Sequence, residues 1–173
     1  MQQQGIDGLV LDLRNNSGGL VSAGLAVANV LLDGAPIVET VNREGFADAQ
    51  QAGPGQLFGG PMVTLVNGGT ASASEILAGA LQDDSRSPLL GSRTFGKGLI
   101  QTLIGLGGDG SGLAVTVARY VTPSGRDIQN LGIEPDRLLP QPEPLNPGGD
   151  NDAWLDAALD ALERQLPSGE ANR

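Results

Sequence analysis

Residues 8–34 read GLVLDLRNNSGGLVSAGLAVANVLLDG, and this stretch decides the fold. Its first part, 8–14, is a mostly apolar run of the kind that forms a buried strand. The Asn, Ser and Gly residues at 15–19 favour a turn. Apolar residues then recur at helical spacing over 20–33, and Gly34 is placed to cap the helix. The stretch therefore predicts a strand, a tight turn and a helix in succession.

The same alternation continues along the chain. Strands are predicted at 35–42, at 61–67, within 88–98 and at 113–122, and helices at 71–84 and 151–166. Residues 43–60 are polar and rich in Gly and Pro, which predicts a long loop, and 99–106 alternates only weakly. Strands that alternate with helices favour an α/β fold.

The C-terminal part of the chain has a different composition. Residues 140–150 are rich in Pro and Gly, which predicts an extended linker between a core at 1–139 and a helix with a tail at 151–173. The helix is amphipathic, and its pattern predicts one apolar side made of Trp154, Leu155, Ala158, Leu159 and Leu162.

The composition excludes several kinds of site. The chain has 173 residues, enough for one domain with a core, and its net charge of −10 argues against nucleic acid or an anionic membrane as a main partner. It contains neither Cys nor His, which excludes disulfides, a Cys nucleophile, a Ser-His-Asp triad and His-based or thiolate metal sites. An enzyme built from this chain must take its base from Lys, Asp, Glu or Tyr.

Lys97 is the only lysine, and the other nine cationic side chains are arginines. A solvated surface charge is the ordinary interpretation of a single lysine. However, a desolvated lysine can lose its proton and act as a base, whereas arginine cannot. The sequence GSRTFGK at 91–97 also fits the phosphate-binding pattern G-x-x-x-x-G-K, but Gly98 stands where that pattern requires Ser or Thr. Nucleotide binding is therefore a weaker alternative.

Ser72 lies where a predicted strand ends and a helix begins. At such a position free backbone N–H groups can stabilise an oxyanion formed by attack of the serine hydroxyl on a carbonyl. The sequence SASE at 72–75 also matches a capping box, in which Ser72 and Glu75 simply cap the helix, and spacing alone favours this interpretation. The glycines of LRNNSGG at 13–19 are either a second source of oxyanion donors or part of an ordinary turn capped by an asparagine.

Four blocks occur in a fixed order over about residues 5–137: GLVLDLRNNSGGL, VTLVNGGTASASEILAGALQD, GSRTFGKGLIQT and YVTPSGRDIQNLGIEPD. Together they closely resemble the carboxyl-terminal processing peptidases, also called tail-specific proteases. The resemblance implies a Clp/crotonase-like α/β core, so that 1–139 would be part of a protease catalytic domain. It also implies a serine endopeptidase that uses a Ser-Lys dyad and needs no metal or other cofactor.

The resemblance assigns roles to particular residues. Ser72 would be the nucleophile and Lys97 the general base, a role that arginine cannot fill. Gln101, four residues after the lysine, would orient it. The oxyanion donors would be the backbone N–H groups of three residues: Gly18 or Gly19 of the glycine pair, and Ala73.

The resemblance also implies partners and a location. Substrates would be proteins or peptides with apolar C-termini, and the place of action would be the periplasm or cell envelope. Members usually carry a PDZ domain that recognises substrate C-termini, and no PDZ-like segment is evident in this sequence, so we expect the chain to be a fragment. A catalytically inert scaffold or binding module with the same fold is the alternative, and whether the chain forms a homo-oligomer is left open.

Overall fold

The computed structural model describes residues 5–108 and 110–166. Within these residues the chain forms, in order, β1 Leu9–Asp12, α1 Val21–Leu31, β2 Pro36–Asn42, β3 Ala47–Gln51, β4 Met62–Val66, α2 Ala73–Asp83, β5 Leu89–Gly91, β6 Leu99–Gly105, β7 Gly112–Val121, β8 Arg137–Leu138 and α3 Ala153–Glu163. The predicted tail within 151–173 continues beyond residue 166, so its end, like residues 1–4 of the predicted core, lies outside the described residues.

A parallel sheet in the order β1-β4-β5-β8 forms the centre of the fold. Side chains of β4 alternate between its faces: Met62 and Val66 pack with α1 and α2, whereas Val63 and Leu65 pack with α3. All five residues of β4 are buried, as expected for a strand covered on both faces. The predicted α/β fold is confirmed by this layered arrangement.

Helix α3 covers the second face of the parallel sheet. Trp154, Ala158 and Leu162 recur every four residues and are 1%, 0% and 8% exposed, so they form the buried stripe. Leu155 is only partly buried. Leu159, predicted on the same apolar side, follows Ala158 by one residue, about 100° around the helix, so it lies at the edge of that side and is 44% exposed.

A second sheet is antiparallel and has the order β3-β2-β7-β6. The prediction of one long loop over 43–60 is wrong, because Ala47–Gln51 pairs with β2 as strand β3. This strand reads ADAQQ and is largely exposed, so it has no apolar alternation by which it could be recognised. Its turn is stabilised by Asn42, whose side-chain oxygen accepts hydrogen bonds from the N–H groups of Glu44 and Phe46.

The parallel sheet brings three of the sequence blocks together. β1, β4 and β5 run in the same direction, so the segments that follow them, 13–19, 67–72 and 92–98, begin at the same edge of the sheet. The predicted nucleophile, base and oxyanion donors lie on or next to these segments.

Candidate active site

Ser72 occupies a strained turn between β4 and α2. It is the residue immediately before the first residue of α2, and its backbone angles are φ 58° and ψ −121°. A non-glycine residue with such angles costs about 1–3 kcal/mol and persists only where the surroundings impose it. A sharp strand-to-helix turn of this kind exposes the nucleophile in α/β-hydrolases. Ser74, by contrast, is 6% exposed.

The glycine pair lies directly against this turn. A Cβ atom added to Gly18 would come within 2.6 Å of the Ala71 carbonyl oxygen and within 2.9 Å of both the Ala73 nitrogen and Ser72 Cβ. Gly18 also has φ 90°, a conformation that favours glycine. Only a residue without a side chain fits here, so the fold brings the two predicted sources of oxyanion donors into contact.

The predicted donors differ in whether their N–H groups are in use. The N–H of Gly18 donates to the side-chain oxygen of Asn16 at 3.0 Å. In the described part of the chain, the N–H groups of Gly19 and Ala73 have no acceptor. Of the glycine pair, Gly19 therefore offers the N–H that is free to bind an oxyanion in this conformation.

Glu75 connects the Ser72 turn to the loop that carries Lys97. Its side chain is fully buried and accepts four hydrogen bonds. Oε2 accepts from the N–H groups of Ser72 at 2.9 Å and Lys97 at 2.8 Å. Oε1 accepts from Thr94 Oγ1 at 2.6 Å and from the N–H of Gly96 at 2.7 Å. These donors satisfy a carboxylate that would otherwise be costly to bury.

The bond from the Ser72 N–H is the Glu75 half of the predicted capping box, so this half is confirmed. The three bonds to the lysine loop could not be read from the spacing of SASE, and sequence reasoning missed them. A carboxyl group within the buried first turn of α2 is the signal that points to such a role.

The side chain of Lys97 is exposed. Its backbone is fixed by Glu75, but its ammonium group has no hydrogen-bond or ion-pair partner among the described residues. Gln101 lies on β6 and donates to Thr116 Oγ1 at 3.5 Å rather than to the lysine. The structure thus places the backbone of Lys97 beside Ser72 but does not join the side chains of Ser72, Lys97 and Gln101.

Arg14 begins the glycine loop and is held by two carboxylates. Hydrogen bonds to Asp12, which have the larger effect, and to Asp152 raise the pKa of the Arg14 guanidinium above its usual value. In turn, the hydrogen bonds from Arg14 hold the pKa of the Asp152 carboxyl well below its usual range. This buried charge pair was not evident from the sequence, because its members are 138 residues apart.

A cavity of about 340 Å³ borders the glycine loop and the start of α2. Gly18 and Ala73 line it, together with apolar side chains that include Leu13, Leu20, Val27 and Leu77. A larger groove of about 480 Å³ lies on the antiparallel sheet, and neither the glycine pair nor Ala73 lines it, while Ser72 lines neither space. The smaller cavity is therefore the one adjacent to the candidate chemistry.

The loop around Lys97 does not resemble a phosphate-binding loop. Such a loop presents free backbone N–H groups at the start of a helix. Here the N–H groups of Gly96 and Lys97 donate to the carboxylate of Glu75, and strand β6 follows rather than a helix. The arrangement does not support the nucleotide-binding alternative. Over residues 5–108 and 110–166 no group of three or more Asp or Glu side chains is arranged to hold a metal ion.

Comparison with known proteins places this chain in a family. The carboxyl-terminal-processing protease of Picosynechococcus sp. is 54% identical over 165 residues, which cover 94% of this chain and 39% of that protein. The Bacillus subtilis carboxy-terminal processing protease CtpA is 40% identical over 136 residues, covering 78% of this chain and 29% of that protein. The chain thus spans about two fifths or less of the length of these relatives.

Solved structures agree with the sequence comparison. A photosystem II D1 C-terminal processing protease matches with a TM-score of 0.77 and 48% identity, covering 93% of this chain and 40% of that one. A putative S41 protease from Bacteroides fragilis matches with a TM-score of 0.71 at 19% identity, a likeness of fold alone. The Clp/crotonase-like fold and the resemblance to carboxyl-terminal processing peptidases are both confirmed. A model of peptidase family S41 matches residues 1–139, and the chain belongs to this family.

Proposed function

We propose that this chain is the catalytic part of a serine endopeptidase that cleaves proteins near their C-termini, with Ser72 as nucleophile and Lys97 as general base. The observation that carries the proposal is the fit of Gly18 against the strained Ser72 turn, with a separation of 2.9 Å between the Ala73 nitrogen and a Cβ placed on the glycine. A turn that is strained and closely packed against a second loop is typical of a preorganised nucleophile site.

The reaction proceeds through an acyl-enzyme. Lys97 takes the proton of the Ser72 hydroxyl as the oxygen attacks the peptide carbonyl carbon, which requires the lysine to leave water and give up its own proton as it turns toward Ser72. The backbone N–H groups of Ala73 and the glycine pair stabilise the oxyanion, each contributing about 3–4 kcal/mol by analogy with other hydrolases. The C–N bond then breaks, and Lys97 passes its proton to the leaving amine. A water molecule attacks the ester by the same route and releases Ser72.

Lys97 has to turn toward Ser72 for the first step. Glu75 already fixes the backbone N–H groups of both residues, so rotation of the lysine side chain is the change that this contact requires. Gln101 orients the lysine once its long hydrogen bond to Thr116 is given up. Catalytic hydrogen bonds are often absent or long in unliganded sites and form when substrate is bound.

The proposed substrates are proteins or peptides with apolar C-termini. The apolar cavity beside Gly18 and Ala73 supports this, because a substrate side chain next to the scissile bond can enter it. The resemblance also leads us to propose a PDZ domain in the full-length protein and action in the periplasm or cell envelope. Relatives named as bacterial and chloroplastic processing proteases support that location. No helix in the described residues is long and apolar enough to cross a membrane.

The test is cleavage of an unstructured protein with an apolar C-terminus, followed by mass spectrometry. We expect the purified chain to shorten this protein, Ser72→Ala to abolish cleavage and Ser74→Ala to retain it. The full-length Picosynechococcus protease serves as positive control. Equal cleavage by the wild type and by Ser72→Ala contradicts the assignment of the nucleophile.

A second candidate is an inert scaffold of the same fold. The observation that favours it is that the proposed base and nucleophile are not in contact through their side chains: among the described residues the Lys97 ammonium makes no hydrogen bond to Ser72. A peptide boronate, which forms a tetrahedral adduct with an active serine, separates the two candidates. If the relative binds the boronate and this chain does not, the scaffold is the better description.

A further inference from the structure

Residues 140–152, which precede α3, lie outside the part of the chain matched by the family. Their Pro- and Gly-rich composition is that of a linker, yet the segment is attached to the core at both ends. The indole N–H of Trp154 donates to the Pro140 carbonyl oxygen at 2.8 Å, and the Asp152 side chain accepts from the N–H groups at the start of α3. Within this segment, two acidic side chains reach the loops of the candidate site.

The first is Asp152, which is 2% exposed. Its two carboxylate oxygens accept hydrogen bonds from Arg14 Nη1 at 2.9 Å and Arg14 Nη2 at 2.6 Å. This bidentate contact fixes both the position and the plane of the guanidinium. The same carboxylate also accepts from the N–H of Gly148 at 2.6 Å, so it joins the segment, α3 and the start of the glycine loop.

The second is Glu143. Its Oε2 accepts from the side-chain nitrogen of Asn67 at 2.8 Å, and its Oε1 accepts from Ser92 Oγ at 2.7 Å. A carboxylate can only accept, so Glu143 supports the orientation of the Asn67 amide, which Asn15 Oδ1 also favours by accepting from the same nitrogen at 3.0 Å. The Asn67 oxygen then faces Asn15 and accepts from its backbone N–H at 2.8 Å.

Arg14 and Asn15 are adjacent residues, and the glycine pair follows them closely. Asn15 is itself in the left-handed region, with φ 57°, so its conformation depends on the bonds that surround it. The position of Gly18 has little tolerance, because Ser72 and Ala73 leave no room for even a methyl group. A small displacement of Arg14 or Asn15 therefore alters the separation between the glycine pair and Ala73.

We propose that residues 140–152 form a tether that positions the glycine loop, with Glu143 and Asp152 as its two positioning residues. The consequence for catalysis rests on the proposed function, since it is the oxyanion donors that the tether aligns. Glu143 acts through Asn67 on Asn15, and Asp152 acts directly on Arg14. Neither residue touches the substrate.

The kinetic experiment compares Glu143→Gln and Asp152→Asn with Asp150→Asn. Asp150 lies on the same segment, is exposed and makes no hydrogen bond or ion pair in the described structure, which makes Asp150→Asn a matched loss of charge. We expect kcat of the two tether variants to fall by about 10- to 100-fold, with KM little changed, because misplaced donors affect the transition state more than substrate binding. Affinity for a peptide boronate should fall in parallel, whereas affinity for the matching peptide amide should not. Asp150→Asn should behave as the wild type.

Hydrogen exchange tests the tether without any need for activity. We expect faster exchange at residues 13–20 in Glu143→Gln and in Asp152→Asn, and unchanged exchange in strand β6, which pairs with β7 rather than with this segment. Circular dichroism establishes that each variant is folded, and Glu143→Gln, the change at the less buried site, serves if Asp152→Asn does not fold. If the folded variants exchange at residues 13–20 at the same rate as the wild type, the proposal that residues 140–152 position the glycine loop is wrong. A wild type that neither cleaves nor binds the boronate overturns the proposed function instead.

Discussion

The backbone N–H groups of Ser72 and Lys97 donate to the same atom, Oε2 of Glu75, at 2.9 and 2.8 Å. These two residues are 25 positions apart in sequence and belong to different loops. The shared oxygen holds their backbones side by side through the main-chain N–H groups and binds neither side chain. The main chains of the proposed nucleophile and the proposed base are thus held together by a residue that takes no part in the proposed proton transfer.

Replacing Glu75 with Gln tests this arrangement. An amide offers one accepting oxygen in place of two, and its NH₂ group would face N–H donors, so at least one buried donor loses its partner. We expect the free energy of unfolding to fall by about 2–3 kcal/mol and cleavage to be lost. Urea unfolding measures the first effect, and Glu163→Gln, at an exposed position on α3, is the control. Wild-type stability in Glu75→Gln contradicts the importance of these bonds.

Replacing Lys97 with Arg tests the proposed base. Arginine keeps the charge and approximate length of lysine but does not accept a proton near neutral pH. Because the side chain is exposed and unpaired in the described structure, we expect the free energy of unfolding to change by no more than about 0.5 kcal/mol while cleavage is abolished. A cleavage rate of a tenth of the wild type or more in Lys97→Arg shows that another group is the base.

Replacing Gly18 with Ala tests the contact between the glycine loop and the Ser72 turn. The added methyl group meets the Ala71 carbonyl oxygen at 2.6 Å and requires φ 90° of a residue that disfavours it. We expect a loss of about 2 kcal/mol in unfolding free energy and a fall in kcat of about 100-fold. Gly105→Ala is the control, since a methyl group there meets nothing within 4 Å. If Gly18→Ala and Gly105→Ala change the unfolding free energy and kcat equally, the glycine loop can shift to accommodate the methyl group, and the contact is not required.

Much of the fold was predictable because its strands and helices carry their own periodicity. β1, β4, α2 and α3 were all predicted within a few residues of their observed bounds. β3 was not, because its pairing with β2 depends on backbone bonds and on the Asn42 turn rather than on apolar side chains. β8, with only two residues, is too short to show a pattern.

The site was predictable to the extent that its residues stand within distinctive blocks. Ser72, Lys97 and the glycine pair could be named, and the parallel strands explain why their segments meet at one edge. The contacts made by Glu75 beyond its own helix and by Asp152 join residues far apart in sequence, so they follow only from the folded chain. The roles of Ser72, Lys97 and Gln101 stay predictions.

Asp152 gives a pH dependence with a definite sign. Arg14 holds the pKa of its carboxyl below the usual value of about 4, so the ionised form stabilises the fold above that pH, and this contribution is lost as pH falls further. We expect Asp152→Asn to be less stable than the wild type by about 3 kcal/mol at pH 7, and the difference to shrink as the pH falls below about 5. Urea unfolding across pH 7 to 3 measures it, and a difference independent of pH contradicts the buried pair.

Ser72→Gly provides the last test, because this substitution should relieve the backbone strain at position 72 and also abolish cleavage. Glycine tolerates φ 58° and ψ −121° at little cost, whereas alanine does not, so we expect Ser72→Gly to be more stable than Ser72→Ala by about 1 kcal/mol or more. At position 26, an exposed site within α1, the order should be reversed, with Ala26→Gly less stable than the wild type by about 1 kcal/mol. Both substitutions of Ser72 should abolish cleavage, since each removes the hydroxyl. If glycine is no more stable than alanine at position 72, the turn is not strained, and preorganisation of the nucleophile loses its support.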